Sequence, residues 1–591
     1  MRRFLITTGY EPSWRSDRPV LFLGEWCRHF DRRSVWEALD YRVAPPYGLA
    51  PRQKYRDLAH TEAMTRELIP EVAAALNECH HTSHSPRYWQ IVLGHWLRRY
   101  VDVVFNRYAT LQAMTEAERP AATVVVGRAS SQSLAVGDSM SFIMATNDDR
   151  WNHDLYGRLL EIVAPPFDIE RVTAPPREPS RILRRAPSVG RRAAQWCVSQ
   201  LSLLARDTDA VIFRSYFPRR TELALQASLA QCPQLWSTPA PPSAGVSHEM
   251  RDRFRLAADG KSGLSEIVRR LLPDLLPTCF LEGYRELVDR ARGLPWPSRP
   301  RFVFTSNSFD TDEVFKAWCA EKVDRGHAYF AGQHGANYGT NFYAGNDQWP
   351  DRAATDAFFT WGWSDPGGNT VAAFNFRSVP NAGLPHNPSG GLLLIEECGN
   401  HRITPWDGDY EFARYLDEQY RFVEALPVEI QSCLTVRLHQ EFRFHRWSEP
   451  ARWAERLPSI AVDPGLEPMR AAIGRSRLVV YSYESTGVLE NLANNVPTLC
   501  FWWNGLDHIL PSARPYYDRL VEAGVIVTSA TDAVATITRR WPRVREWWHS
   551  ATVQAAVSAY CERFARREPH PVKTMRRLWL QRLAPGTAGR L

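Results

Sequence analysis

Along this chain, runs of consecutive apolar residues alternate with stretches whose apolar positions recur every three or four residues. The runs begin with RFLITTG from Arg3, ATVVVG from Ala122, AVIFRSYF from Ala210, RFVFTSNSF from Arg301 and HAYFAGQHG from His327. They continue with GLLLIEECG from Gly391, CLTVRLH from Cys433, RLVVYSY from Arg477, PTLCFWW from Pro497 and GVIVTSA from Gly524. A sheet with one wet face would alternate apolar and polar residues, so unbroken runs of this kind predict strands buried on both faces of a parallel sheet. DEVFKAWCAEKV, TGVLENLANN and YEFARYLDEQYRFVEAL carry the helical period between them. Strand and helix in alternation predict a doubly wound α/β fold.

At 591 residues the chain has room for roughly three to four domains of ordinary size or two large ones, and two α/β halves fit that length. The segment 293–302, GLPWPSRPRF, places three prolines and a glycine between a helical stretch and a new strand. It sets the expected division between residues 1–295 and 296–591. Within the first half, residues 55–118 carry apolar positions at helical spacing over a long distance and predict a helical insertion. The arginine- and proline-rich stretch Arg177–Arg192 reads as a solvated basic connector or as a loop facing a membrane or an acceptor.

Composition narrows the class. No stretch approaches the ~18 to 20 unbroken apolar residues of a membrane span, and the apolar run Phe4–Ile6 is too short for an export signal, so a cytoplasmic protein is expected. Ten cysteines without a CxxC pair or regular spacing argue for reduced thiols over a zinc knuckle or disulfide framework. The 72 basic residues against 65 acidic ones leave only +7, too little to mark a nucleic-acid binder, and no nucleic-acid module is evident. His80, His81 and His84 lie close in sequence, but no carboxylate or cysteine at metal-ligand spacing completes them, so no metal is expected.

The most informative chemistry lies in RLVVYSYESTGVLENLANNVPTLCFWW, from Arg477 to Trp503. A buried strand passes through Ser485 and Thr486 into a helix, which brings hydroxyls, unpaired amides and the positive dipole end to one point and favours a phosphate there. The same hydroxyls would equally serve as helix caps. Glu490, one turn inward, suits ribose hydroxyls or the helix surface. A second group spans TSNSFDTDEVFKAW and FAGQHGANYGTNFY, both at strand ends, where Gly332, Gly335 and Gly339 let backbone approach a ligand around Gln333 and His334. His334 between glycines is a catalytic candidate. Asp310 heads an Asp-Thr-Asp that resembles a metal-binding pair but opens a helix, where capping by Asp310 or Thr311 with Glu313 in the first turn accounts for it. Glu25, between Gly24 and Trp26 past the strand at 20–23, suits acid or base work or a salt bridge to a nearby arginine. Arg437 and His439 end another strand and are candidates to face the cleft, where Arg437 suits phosphate or a sugar carboxylate.

Taken together, these segments resemble the transferases encoded in O-antigen and surface-polysaccharide gene clusters, and the resemblance runs almost end to end. It rests on Thr7-Thr8, FLGEWC at 22–27, HSPRYWQIVLGHWL at 84–97, FTSNSFDTDEVFKAWCAEK at 304–322, GQHGANYG at 332–339, Trp361-Gly362-Trp363 and the Ser-Thr helix ending in PTLCFWW. The resemblance implies a glycosyltransferase of the B type, with two Rossmann-like domains, an acceptor-side first half and the nucleotide-sugar donor in the second. A more distant similarity connects Ser485-Thr486 with bacterial transferases of CMP-activated Kdo and sialic acid. Those also use a His-Pro pair, whereas His439 is followed here by Gln440.

The expected activity is transfer of a sugar from a nucleotide donor, with CMP-Kdo or a related acidic sugar foremost and a UDP-, GDP- or dTDP-sugar as the open alternative, onto a lipid-linked or oligosaccharide acceptor. It would need no cofactor or metal and would be metal-independent, with peripheral contact to the inner membrane or to other assembly enzymes. Ser485 and Thr486 are assigned to donor phosphate, Glu490, His439 and Arg437 to the nucleotide side, and His334 with Gln333 to the reacting sugar. Glu25 and Asp310 are the candidate carboxylates. A CDP-glycerol-type polyol-phosphate transferase and a non-catalytic glycan-binding protein are the alternatives.

Overall fold

The computed structural model describes residues 2–127, 134–173, 205–343, 347–377, 386–399 and 412–583. Its strands form three sheets in which every pairing is parallel. The first contains β1 (Phe4–Ile6), β2 (Val20–Phe22), β3 (Tyr41–Val43), β4 (Ala122–Gly127) and β5 (Asp168–Thr173), in the order β3-β2-β1-β4-β5. The second contains β6 (Val211–Ile212), β7 (Phe302–Thr305), β8 (Ala328–Gly332), β9 (Ala357–Thr360) and β10 (Thr370–Ala372), adjacent in chain order. The third contains β11 (Gly391–Ile395), β12 (Leu434–Arg437), β13 (Ala461–Asp463), β14 (Ser476–Tyr481), β15 (Thr498–Phe501) and β16 (Ile526–Val527), in the order β13-β12-β11-β14-β15-β16.

The first and third sheets are doubly wound as expected, reversing direction between β1 and β4 and between β11 and β14. A reversal of this kind leaves a crevice at the carboxyl ends of the strands. The second sheet is wound one way. β6 pairs with β7 through Val211↔Val303 and Ile212↔Phe304, so this sheet spans the expected division at 295/296. The proline cluster breaks the helix Tyr284–Arg292 before β7, and the residues that end a helix inside a domain are the same ones that compose a linker.

The second sheet is buried on both faces because each face joins a different core. Phe302 and Phe304 on β7 and Phe330 on β8 pack with the third sheet. Val303 and Tyr329, pointing the other way on the same strands, pack with the first sheet and its helices. The helical insertion consists of α1 (Pro51–His80) and α2 (Pro86–Glu118). Buried Trp89, Trp96 and Tyr100 on α2 look into the core, which is where most of the tryptophans go. Helix α3 (Glu313–Asp324) follows β7 and packs on α2; α4 (Phe412–Glu424) and α5 (Glu449–Arg456) belong to the third sheet.

Among the described residues no helix is long and apolar enough to cross a membrane, and nine cysteines are free thiols. The Arg177–Arg192 stretch lies outside the described residues.

Candidate active site

Strand β14 runs buried to Tyr481, and the chain then turns through Ser482 to Ser485 into α6 (Thr486–Ala493). Ser482 fixes the turn to the end of β11 by donating to the Ile395 carbonyl at 3.0 Å, so α6 begins at the β11/β14 reversal. Ser485 precedes the helix in extended conformation and does not cap it. The Thr486 hydroxyl accepts the amide of Ala336 at 3.1 Å. Thr486 and Gly487 line the adjoining cleft, and as first-turn residues their amides have no acceptor inside the helix.

The facing wall is the loop that leaves β8 at Gly332. Its backbone needs one glycine: Gly339, at φ +73°, would drive a Cβ to 2.4 Å from the Trp363 ring, while a Cβ at Gly335 would stand 3.2 Å from the Thr486 hydroxyl. Gln333 braces this loop from beneath. Its Oε1 accepts from the Trp361 amide and Trp363 Nε1, both at 2.9 Å, and its Nε2 donates to the Gly335 carbonyl at 2.8 Å. Gln333 is therefore a structural brace and does not offer its amide to a ligand.

The two walls enclose a cleft of about 880 Å³ whose lining includes His334, Arg437, His439, Ser485, Thr486 and Glu490. Six candidates that are scattered in sequence thus share one cavity. His334 is partly exposed, with the rings of Phe309 and Tyr216 at 5.5 and 6.0 Å. Burial lowers the proton affinity of its imidazole, against the pull of Asp351 and Asp310. Glu490 pairs with Arg377 at 2.5 Å, and burial raises its carboxyl nonetheless. Arg437 spends its guanidinium on the protein: Nη1 reaches Asp463 and Nη2 the Glu467 carbonyl, both at 2.5 Å. It holds the β12 and β13 ends together and shapes the cleft, where a partner for phosphate or a sugar carboxylate was expected. His439 Nδ1 accepts the Glu441 amide at 3.3 Å. With Cys398 and Glu441 it offers sulfur, nitrogen and oxygen atoms within 4.8 Å of one another, the one such group among the described residues.

Two candidates lie elsewhere. Glu25 is ion-paired with Arg28 and lines a separate cavity of about 560 Å³ with Arg33, Trp36, Arg452 and Glu455, so the salt-bridge alternative holds. Asp310 is gripped from α2 by both arms of Arg99, at 2.5 and 2.8 Å. Burial would raise its carboxyl, but the Arg99 guanidinium, with His95 and Lys316 nearby, holds it below the ordinary range. The helix cap is Asp312, whose Oδ1 accepts the Phe315 amide at 3.1 Å, and neither Asp310 nor Thr311 serves. Among the three clustered histidines, His80 bonds the Phe280 carbonyl at 3.0 Å and stacks on Tyr284, and burial pushes it down to about 4. His84 stacks on Tyr88 at 3.7 Å, so both are packing residues.

Three features escaped the sequence. Glu396 continues β11 into the cleft lining with its carboxyl buried, pushed up to about 8 by desolvation. The acidic pair closing LLLIEE was its one visible signal. Tyr338, four residues beyond His334 on the same loop, adjoins it and is backed by Asp351. At the carboxyl edge of the first sheet, His29 meets Asp149 at 2.6 Å, and Asp149 also accepts the Gly9 amide at 3.1 Å.

These features define an α/β protein of the doubly wound class, with a ligand-sized cleft where the strand order reverses and a helix N-terminus opening into it. The chain belongs to the LIC12162 family of transferases, whose model matches residues 3–579. MurG from Acinetobacter baumannii is similar over 63% of this chain and 99% of its own, at 12% identity and a TM-score of 0.31. HepE from Anabaena, solved in complex with UDP-glucose, is similar over 63% and 98%, at 11% identity and a TM-score of 0.33. No protein of curated function matches the chain.

Proposed function

We propose that this transferase is a glycosyltransferase of the B type that moves a sugar from a nucleotide-activated donor onto a growing surface-polysaccharide or O-antigen acceptor. One observation carries the reading: the N-terminus of α6, at a strand-order reversal, shares its cleft with a histidine delivered by the loop after β8. Free first-turn amides and the helix dipole favour a phosphate at that spot. The donor phosphate lies on the amides of Thr486 and Gly487 beside Ser485, with Glu490 and His439 toward ribose or base. An acceptor hydroxyl attacks the anomeric carbon, the carbon–oxygen bond to phosphate breaks, the nucleotide leaves with the electron pair, and the hydroxyl proton passes to His334. The rate comes from positioning and from charge stabilisation at the phosphate, and the step calls for no resident metal or cofactor.

The Ser485-Thr486 pair and His439 favour a CMP-linked acidic sugar such as CMP-Kdo as donor, with a lipid-linked or oligosaccharide acceptor. Such an acceptor implies work on the cytoplasmic side of the inner membrane, in peripheral contact with it. The test is the melting temperature in the presence of CMP, CDP, UDP, GDP or dTDP. A nucleotide at 100 times its Kd stabilises by about 2.7 kcal/mol. CMP is expected to raise the midpoint most. A response to a diphosphate nucleotide alone would remove the acidic-sugar donor, and no response to any would remove the nucleotide reading.

A further inference from the structure

We propose that Tyr338 and Asp351 form a relay that holds the His334 imidazole with its Nε2 lone pair toward the cleft, deepening the reading in which His334 takes the acceptor proton. The Tyr338 hydroxyl lies 2.6 Å from Asp351 Oδ2 and 3.3 Å from His334 Nδ1. A phenol has one hydrogen. The shorter contact faces an acceptor-only carboxylate, so Tyr338 donates to Asp351, and its oxygen is left to accept from Nδ1–H. With Nδ1 protonated, the neutral ring carries its lone pair on Nε2, the atom a base must offer.

All the supports of this relay are rigid. Tyr338 is 5% exposed and stacks on Phe358 of β9 at 5.4 Å. Asp351 is 1% exposed and lies in the short helix Pro350–Ala353. The histidine needs only four residues of loop to reach the phenol, and Gly339, at positive φ just past Tyr338, turns the loop there. A base that must be held in one tautomer accounts for a buried carboxylate behind a buried phenol behind a cleft histidine.

The relay also sets how readily His334 gains a proton. The groups facing the ring are Asp351 through Tyr338, Asp310 with its partner Arg99 from α2, and the uncharged rings of Tyr216 and Phe309. Asp351 in turn faces Arg98, also on α2. Burial works against the imidazolium while the two carboxylates favour it. Removing the Asp351 charge therefore makes His334 harder to protonate.

The direct test is the 15N imidazole spectrum of the full-length protein, with the His334 signals assigned by their loss in His334→Ala. Protonation at Nδ1 at neutral pH is expected, and a proton on Nε2 overturns the relay. Tyr338→Phe, which keeps the ring, is expected to release that tautomer preference and to lower the melting temperature by the loss of one hydrogen bond to a buried carboxylate. If Tyr338→Phe does not fold, Asp351→Asn carries the same measurement. In the second arm CMP-Kdo is the donor probe and released CMP is the readout. Asp351→Asn is expected to move the acid limb of the kcat profile to lower pH, and Tyr338→Phe to lower kcat roughly 10- to 100-fold with donor KM within about 2-fold. Should His334→Ala turn over like the parent, the proton-acceptor reading itself falls. Should it be inactive while Asp351→Asn leaves the acid limb in place, the relay alone falls.

Discussion

Replacing Glu396 by Gln should make the protein less sensitive to alkaline pH without disturbing its shape. Glu396 ends β11 with 1% exposure, and Oε2 accepts Trp453 Nε1 at 3.1 Å, a bond that a glutamine oxygen can keep. Desolvation pushes its carboxyl up to about 8 from an ordinary 4.5, with the Glu449 carboxylate adding to the rise. The folded protein therefore binds this proton more tightly than the unfolded chain. The associated stabilisation is complete below pH 4.5 and is lost as pH rises through about 8. At about 1.4 kcal/mol per pH unit, the gap amounts to roughly 5 kcal/mol lost between the two limits. Glu449, buried on α5 and pushed up to about 7, titrates alongside it, so the two are not additive. Tyr415, Tyr420 and Arg452 complete the surroundings of the pair. The assay is the thermal midpoint of the parent and Glu396→Gln at pH 5.5 and 8.5. The parent is expected to fall by several degrees more than the variant over that interval. Parallel pH slopes for the two proteins would refute an uncharged Glu396, and a variant destabilised equally at both pH values would point to lost packing instead.

Gly339→Ala should cost at least about 2 kcal/mol in urea unfolding, since a Cβ there meets both a positive φ and the Trp363 ring at 2.4 Å; an unchanged midpoint would mean the loop can move aside. Ser485→Ala should raise the donor KM roughly 10- to 100-fold with folding intact, the size of one hydrogen bond to a charged ligand, and an unchanged KM would take the hydroxyl out of donor binding. Asp310→Asn should lower stability by on the order of 2 kcal/mol, between the values for an exposed and a fully buried ion pair. If the folded fraction of that variant still turns over at the parent rate, Asp310 serves only to hold α2; loss of turnover at full folding would return it to the chemistry.

The legible parts of this fold were those whose cause is local. Strands β1, β4, β7, β8, β11, β14 and β15 are buried almost throughout, so each reads as an apolar run. The edge strands β3, β5, β10 and β13 are partly exposed, three to six residues long, and leave little trace in the hydrophobic pattern. The second sheet was hidden for a different reason. It depends on β6 pairing with β7 across about ninety residues of chain, which no composition shift records. The Ser485-Thr486 turn was visible because strand, hydroxyls and helix are contiguous. Asp310 misled because its partner Arg99 is 211 positions away, while the helix it precedes is next to it. Arg437 and Gln333 were identified as cleft residues, but what their polar atoms bind is set by Asp463, Trp361 and Trp363.

The cleft is assembled across two sheets by the loop after β8, and its bonds determine how independently the walls can move. Ala336 N–H reaches Thr486, Phe342 N–H reaches the His508 carbonyl at 3.0 Å, and Leu510 N–H returns to the Thr340 carbonyl at 2.8 Å. Asn341 and Ile509 add an isolated antiparallel bridge, and Glu484, next to Ser485, is itself held by Tyr517 at 2.6 Å and His508 at 3.1 Å. At about 1 kcal/mol for each net hydrogen bond, the three backbone donors alone contribute on the order of 3 kcal/mol to keeping the loop on the third sheet. Separating His334 from the α6 terminus would therefore populate on the order of 1% of molecules or less. The histidine and the phosphate-favouring helix terminus are presented to a ligand as one preformed surface, which lowers the ordering cost of binding. Any rearrangement that admits substrate must then come from parts of the molecule other than these two walls.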